Sequence, residues 1–277
     1  MRPTRARVTT ALLVAAFVMI AAIGPAAKMK GAAQGADAAN CFLLNEVGVG
    51  QVRRSPGEAC VTRVSPASTF KIPHALAALD AGVLDGPDAR IAYDGADQPF
   101  VSWRRGHTLR TAIRDSVVWY FQRVAERLGP ERERAYLEKF RYGNADPTSG
   151  LTTFWLGSSL LISPDDQQRF LLDLFADRLP VERRHMDTVR QLMVQPAGTV
   201  VNAAGSQTFG PPTGVVVAAK TGAVRDRSGY DVRWLVGRVE RGTRSWIFVA
   251  MVKAAPDAPA AAAVELAAHG LTEAKVF

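Results

Sequence analysis

Two short stretches hold residues able to do chemistry together. The first is "SPASTFKIPH", residues 65–74, with Ser68 three positions before Lys71. On a helix that spacing puts both side chains on one face. Pro66 suits a helix entry, whereas Pro73 lacks the N–H that a helix interior needs. The second stretch is "KTG", Lys220-Thr221-Gly222, at the end of the apolar run "GVVVAAKTG". A serine hydroxyl is a weak nucleophile unless a base activates it. None of the four histidines, His74, His107, His185 and His269, sits in a G-x-S-x-G or triad setting. No H-E-x-x-H or C-x-x-C run offers metal ligands. The base is therefore sought in Lys71. An ordinary lysine is protonated at neutral pH, but burial lowers its pKa. Phe70, Ile72, Val117, Val118 and Trp119 are the apolar neighbours expected to desolvate it.

The elements that position these residues follow from the patterning. Residues 41–63 read as strand–turn–strand. A helix follows from Ser68 and stops at Gly82. "TLRTAIRDSVVWYFQRVAERLG" carries apolar residues at helical spacing up to Gly129 and reads as one helix. "PERERAYLEKFRYG" is a third helix, opened by Pro130 and closed by Gly143. Residues 146–157 form a loop containing Trp155. Ser163 is the expected N-cap of a helix with Pro164 at its first position. "HMDTVRQLMV" makes a further short helix. The last third turns to strands, "VRWLVGRVE" and "SWIFVAMVK", divided by the hairpin signal "RGTR", and ends in the helix "APAAAAVELAAHGL". Strands at both ends and helices between predict an α/β (α+β) fold. Its antiparallel sheet would be built from about 41–63 and 214–277, flanked by helices, with an inserted helical part at about 68–200.

The N-terminus is of another kind. Arg2, Arg5 and Arg7 precede an unbroken apolar run from Ala11 to Ile23, and small residues follow. This reads as an export signal and short leader over residues 1–40, ahead of a catalytic domain at 41–277. The run is short for a membrane span, which needs about 20 apolar residues, so an uncleaved anchor is the alternative. The 277-residue chain carries a net charge of +8. Residues 1–40 hold five bases and one acid, so their removal leaves +4, too little for a nucleic-acid footprint. In an exported chain the two cysteines, Cys41 and Cys60, read as a disulfide across the first hairpin; two free buried thiols are the alternative.

Ser-x-x-Lys early and Lys-Thr-Gly late mark the serine β-lactamases and penicillin-binding proteins. "DSVV" (Ser116-Val117-Val118), "RYGN" (Tyr142-Gly143-Asn144) and "FWLGSSLLISPDDQ" then occur in family order. Over roughly residues 41–253 the chain closely resembles the class D (OXA-type) β-lactamases. The resemblance implies hydrolysis of β-lactam antibiotics by a periplasmic or otherwise exported enzyme, monomeric or dimeric, with no stable membrane association once the signal is cleaved. Ser68 would be acylated. Lys71 would carry a carboxyl group taken from carbon dioxide or bicarbonate and act as general base; no other cofactor and no metal is implied. Ser116 would relay a proton, Val118 would wall the base from water, and Trp155 would donate its indole N–H to it. Lys220, Thr221, Gly222 and Ala223 would line the substrate site, with the N–H groups of Ser68 and Ala223 as oxyanion donors; Tyr142 and Asn144 are placed there too. One departure stands out. The family's carboxylate-binding arginine has no counterpart in 257–270, whose only charges are Asp257 and Glu265. Either ordinary penicillins bind weakly, or Lys220, Thr221 and one of Arg225 and Arg227 hold the carboxylate, Lys253 being a lesser candidate. The rival readings are a penicillin-binding peptidase, a β-lactam sensor domain and an inactive binding module. A peptidase's second motif usually ends in asparagine, where this chain has Val118.

Overall fold

The computed structural model describes residues 39–277 except Pro212. The expected export signal thus lies outside the described residues. Five strands form one antiparallel sheet in the order β2-β1-β9-β8-β7. β1 (Ala39–Glu46) and β2 (Gly50–Arg54) come from the start of the chain. β7 (Val216–Arg225), β8 (Asp231–Arg241) and β9 (Arg244–Ala254) come from its end. The two groups join where β1 pairs with β9, Cys41 opposite Met251. The sheet therefore closes only when both ends of the sequence meet, as the distribution of strand signals predicts. Ala39 and Asn40, counted with the leader, are the first residues of β1 and pair with Lys253 and Val252.

The segment between the two strand groups is mainly helical. α1 (Lys71–Asp80) is followed by the two-residue strands β3 (Arg90–Ile91) and β4 (His107–Thr108). Then come α2 (Leu109–Arg114), α3 (Val118–Leu128), α4 (Pro130–Lys139), α5 (Pro164–Phe175) and α6 (Arg183–Leu192). A small hairpin, β5 (Thr199–Asn202) with β6 (Gly205–Thr208), precedes β7 and was not evident in the sequence. α7 (Ala262–Glu273) closes the chain. Ser163 caps α5 as expected, its Oγ accepting from the Asp166 N–H at 3.1 Å.

β9 reads "RSWIFVAMVKA" because it is covered on both faces. On one side Ile247, Val249 and Met251 join Phe70, Phe121 and Trp234 in the core beneath the helices. On the other, Phe248 and Ala250 join Phe42, Val264 and Leu271 beneath α7. Each such side chain contributes roughly 1.5–3 kcal/mol of burial free energy. The disulfide Cys41–Cys60 ties β1 to the short helical turn after β2. Closing a loop of that sequence separation, 19 residues, contributes about 3 kcal/mol by chain entropy.

Two local expectations are corrected. Residues 108–129 are not one helix: the chain breaks at Asp115-Ser116-Val117, where Ser116 adopts φ +55°. The apolar period runs across the break because both helices bury the same side. Lys220-Thr221-Gly222 sits inside β7 rather than at its end, and the strand continues to Arg225.

Candidate active site

Ser68 lies in a tight 3-10 turn, Ala67–Phe70, that runs straight into α1. Lys71 is the first residue of that helix, so Pro73 falls in its first turn, where a missing N–H costs no internal hydrogen bond. This resolves the apparent conflict of a proline beside the Ser-x-x-Lys pair. Lys71 Nζ lies 2.7 Å from Ser68 Oγ. Ser68 remains partly accessible, whereas Lys71 is wholly buried. Its amine faces the Phe121 ring at 5.6 Å. Trp119, expected to help desolvate it, packs instead against Tyr93 and His107.

Across the cleft, Lys220 Nζ is 2.9 Å from Ser116 Oγ and 3.1 Å from the Thr221 carbonyl. Ser116 reaches it because the left-handed break between α2 and α3 turns the hydroxyl out of the helical path. That break is pinned. Asp115 pairs with Arg105 at 3.2 Å and Arg114 at 2.7 Å, and its carbonyl accepts from Trp103 Nε1 at 2.9 Å. Two buried amines thus converge on two hydroxyls, and neither has a carboxylate partner among the described residues. Burial first, and the Lys220 charge second, push the Lys71 pKa well below the ordinary lysine value. Burial pushes that of Lys220 down to about 7. Such a site favours a neutral amine or an added anion.

Trp155 is fully buried, and its Nε1 has no partner among the described residues. The ring is wedged between Phe154 at 4.9 Å and Phe70 at 5.5 Å. Gly222 explains the close seating of β7. A Cβ there would stand 3.0 Å from the Pro66 carbonyl and 3.1 Å from Thr69 Cγ2, so only glycine lets the strand approach the nucleophile turn without displacement. β7 is the outer strand of the sheet; its outer side is bridged at Ala218 by Val194, and farther along it Gly222 lies against that turn. Ala223 is exposed there and Thr221 nearly buried. Val118 opens α3 next to Ser116 and packs partly into the core.

Tyr142 and Asn144 are not in the cleft. Tyr142 is fully buried, and its hydroxyl donates to Gln167 Oε1 at 3.3 Å. Gln167 Nε2 in turn donates to Thr69 Oγ1 at 2.6 Å, bracing the nucleophile turn from behind. Asn144 clamps the following loop, donating to the Ser159 carbonyl and accepting from the Leu161 N–H, both at 2.8 Å. Gly143 is required between them, since a Cβ would lie 2.1 Å from the Leu161 carbonyl. "RYGN" is thus a brace, and the two residues are withdrawn from the substrate-binding set.

Arg225 is likewise committed. Its guanidinium donates to Asp231 at 3.0 Å and Asp257 at 3.1 Å. Lys253 stands 3.7 Å from Asp226 and over the Tyr230 ring. Arg227 donates to the Ser158 hydroxyl and has no carboxylate partner among the described residues. Ser65, which carried no sequence signal, proves central. Its hydroxyl donates to the Trp155 carbonyl and accepts from the Gly157 N–H, both at 2.9 Å, while its own carbonyl accepts from Trp234 Nε1. It ties the tryptophan loop and β8 to the nucleophile turn. Among the described residues no group of His, Cys, Asp and Glu could hold a metal ion.

A serine and two buried lysines thus lie between a helical part and the edge strand of an antiparallel sheet. The family model for the penicillin binding protein transpeptidase domain matches residues 48–271. Among curated relatives, β-lactamase OXA-2 of Salmonella typhimurium is 38% identical over 188 residues, 67% of this chain and 61% of OXA-2. The match to OXA-2 therefore spans less than two thirds of that protein's length. β-Lactamase OXA-10 of Pseudomonas aeruginosa is 32% identical over 245 residues, 84% of this chain and 87% of OXA-10. Among solved structures, class D β-lactamase BAT-2 superposes with a TM-score of 0.75 at 31% identity, covering 87% of this chain and 93% of that one. The chain belongs to the class D β-lactamase family.

Proposed function

We propose that the chain hydrolyses the β-lactam ring of penicillin- or cephalosporin-type antibiotics through an acyl-enzyme on Ser68. The observation that carries this reading is the buried Lys71 amine 2.7 Å from the Ser68 hydroxyl, with Trp155, whose Nε1 has no partner among the described residues, packed on the adjoining Phe70. Only a neutral amine adds carbon dioxide, losing one proton as the N–C bond forms, and burial, with the Lys220 charge, lowers the Lys71 pKa and so favours that form. The residues fit a carboxylated lysine: the buried indole N–H is a donor lacking an acceptor, and Ser68 Oγ is the second contact. Once in place, the carboxyl group supplies an anionic general base for the serine and, later, for water.

Ser68 Oγ attacks the lactam carbonyl carbon and gives up its proton on the Lys71 side. The negative charge that develops on the carbonyl oxygen falls to the N–H groups of Ser68 and Ala223, each such donor contributing about 2.7–4 kcal/mol. Ser116 Oγ, 2.9 Å from Lys220 Nζ, delivers a proton to the departing ring nitrogen as the C–N bond breaks. Val118 shields the base. The substrate carboxylate falls to Lys220, Thr221 and Arg227, since Arg225 is held by two acids. Residues ahead of β1 act as an export leader, and the described residues act as one catalytic unit outside the cytoplasm, where the Cys41–Cys60 bridge persists.

The deciding experiment is hydrolysis of a chromogenic cephalosporin by the purified protein in bicarbonate-containing buffer, with mass spectrometry of the trapped enzyme. Sustained turnover is expected. A stoichiometric burst followed by a lasting acyl adduct would instead identify a peptidase or a sensor.

A further inference from the structure

A buried histidine–glutamate pair behind the nucleophile turn takes part in none of these steps. His74 Nε2 and Glu133 Oε1 stand 2.6 Å apart, with side chains 0% and 1% exposed. The contact is close but does not meet hydrogen-bond geometry, and His74 Nδ1 has no partner among the described residues either. Glu133 belongs to the first turn of α4, where the helix N-terminus favours an acid. It reaches His74 on α1, three residues beyond Lys71 and so on the same helix face. Such a pair is a poor stabilising device, because desolvation offsets the attraction and apolar residues of like volume serve as well. What a close contact of this kind does supply is a fixed ring position.

That ring belongs to the wall of the Lys71 pocket. His74 packs on Phe70 at 4.9 Å, on Phe121 at 5.5 Å and edge-on to Trp155 at 5.5 Å. Phe121 faces the Lys71 amine, and Trp155 carries the indole N–H without a partner. Glu133 therefore touches His74, and His74 touches both the ring that faces the Lys71 amine and the ring of Trp155. We infer that Glu133 and His74 form a positioning pair that holds Trp155 and Phe121 in the orientation in which Lys71 retains its carboxyl group. This rests on the carboxylated-lysine reading of Lys71.

The test titrates 13C-bicarbonate into the wild type and into Glu133→Gln, Glu133→Leu and His74→Asn, following the carbamate carbon signal by NMR alongside thermal melting. A misdirected indole N–H loses on the order of one hydrogen bond, about tenfold in an equilibrium constant. The bicarbonate concentration giving half the signal should rise by about that factor in Glu133→Leu and His74→Asn. Glu133→Gln, which keeps an oxygen beside the imidazole, should stay nearer the wild type. Should Glu133→Leu fail to fold, His74→Asn and Glu133→Gln carry the comparison. Lowered melting temperatures with an unchanged half-saturation point would make the pair merely structural and overturn the inference. A wild type with no carbamate signal at any bicarbonate concentration would overturn the reading of Lys71 itself.

Discussion

The two buried lysines face each other across the cleft in different company. Lys71 has one hydroxyl, Ser68, and otherwise aromatic surroundings; Lys220 has the Ser116 hydroxyl and a backbone carbonyl. A carbonyl and a hydroxyl can both accept from an ammonium, so Lys220 keeps partners for a charged state. The aromatic surroundings offer a cation only the Phe121 ring face, at 5.6 Å, while the indole N–H of Trp155, without a partner among the described residues, is a donor for an anion. The same side chain, equally buried, thus has fewer partners for a charged state at Lys71 than at Lys220. The sequence distinguishes them only by neighbours: Lys71 opens a helix, and Lys220 lies within a strand.

If the roles are divided in this way, the two alanine variants should fail differently. Lys71→Ala should lower the turnover number by about 10³-fold or more, the upper range for loss of a general base, and added bicarbonate should not restore it. Lys220→Ala should lower kcat/KM by about 10- to 100-fold, the loss of one charged hydrogen bond, and should keep its bicarbonate dependence. Steady-state kinetics with and without bicarbonate separates the two. Equal losses with equal bicarbonate dependence would erase the distinction.

A smaller effect concerns the rim beyond β7. Arg227 has a hydroxyl partner, and Arg225 is held by Asp231 and Asp257. Arg227→Ala should therefore raise KM for a penicillin about tenfold with little change in kcat. Arg225→Ala should leave KM near the wild type and lower the melting temperature, because Asp231, 3% exposed at its side chain, loses a partner. A raised KM in Arg225→Ala alone would return the carboxylate to that arginine.

The chemistry was legible where it is local. Ser68 and Lys71 are three residues apart, and Lys220-Thr221-Gly222 is one run, so both show in a line of sequence. The mixed fold was legible because strand and helix periods occupy separate stretches. What stayed hidden depends on distance along the chain. Ser65 bonds to Trp155, 90 residues on, and to Trp234, 169 residues on, yet beside Pro66 it looks like any turn serine. The break at Ser116 was masked because hydrophobic spacing continues through it. Tyr142 and Asn144 were read as substrate contacts from their place in a motif, while their partners, Gln167, Ser159 and Leu161, lie in a later segment. Glu133 sits in "PERERAYLEK", a stretch whose charges mark a solvent face, and only packing shows that this one points inward.

A further prediction tests the shared property of the two lysines, their desolvation. In the unfolded chain both take the ordinary lysine pKa near about 10.4. In the folded protein Lys220 titrates at about 7 and Lys71 well below its ordinary value. Between about pH 7 and 10 the unfolded state therefore binds more protons than the native state, and stability rises with pH, by at most about 1.4 kcal/mol per pH unit for each lysine. The sign is opposite to that of a lysine held by a carboxylate. The window is bounded above by Tyr120 and Tyr142, whose pKa values burial raises, so that their titration reverses the slope once unfolded tyrosine ionises near about pH 10. Carboxylates titrate below it. Urea unfolding in carbon-dioxide-free buffer, which keeps Lys71 unmodified, should show wild-type stability climbing from pH 7.5 to about 9.5. Lys220→Met should be more stable than the wild type at the lower pH and lose its share of the slope, so the two curves converge as pH rises. Parallel curves across that range would mean that Lys220 keeps its ordinary pKa in the folded protein and is not a desolvated amine.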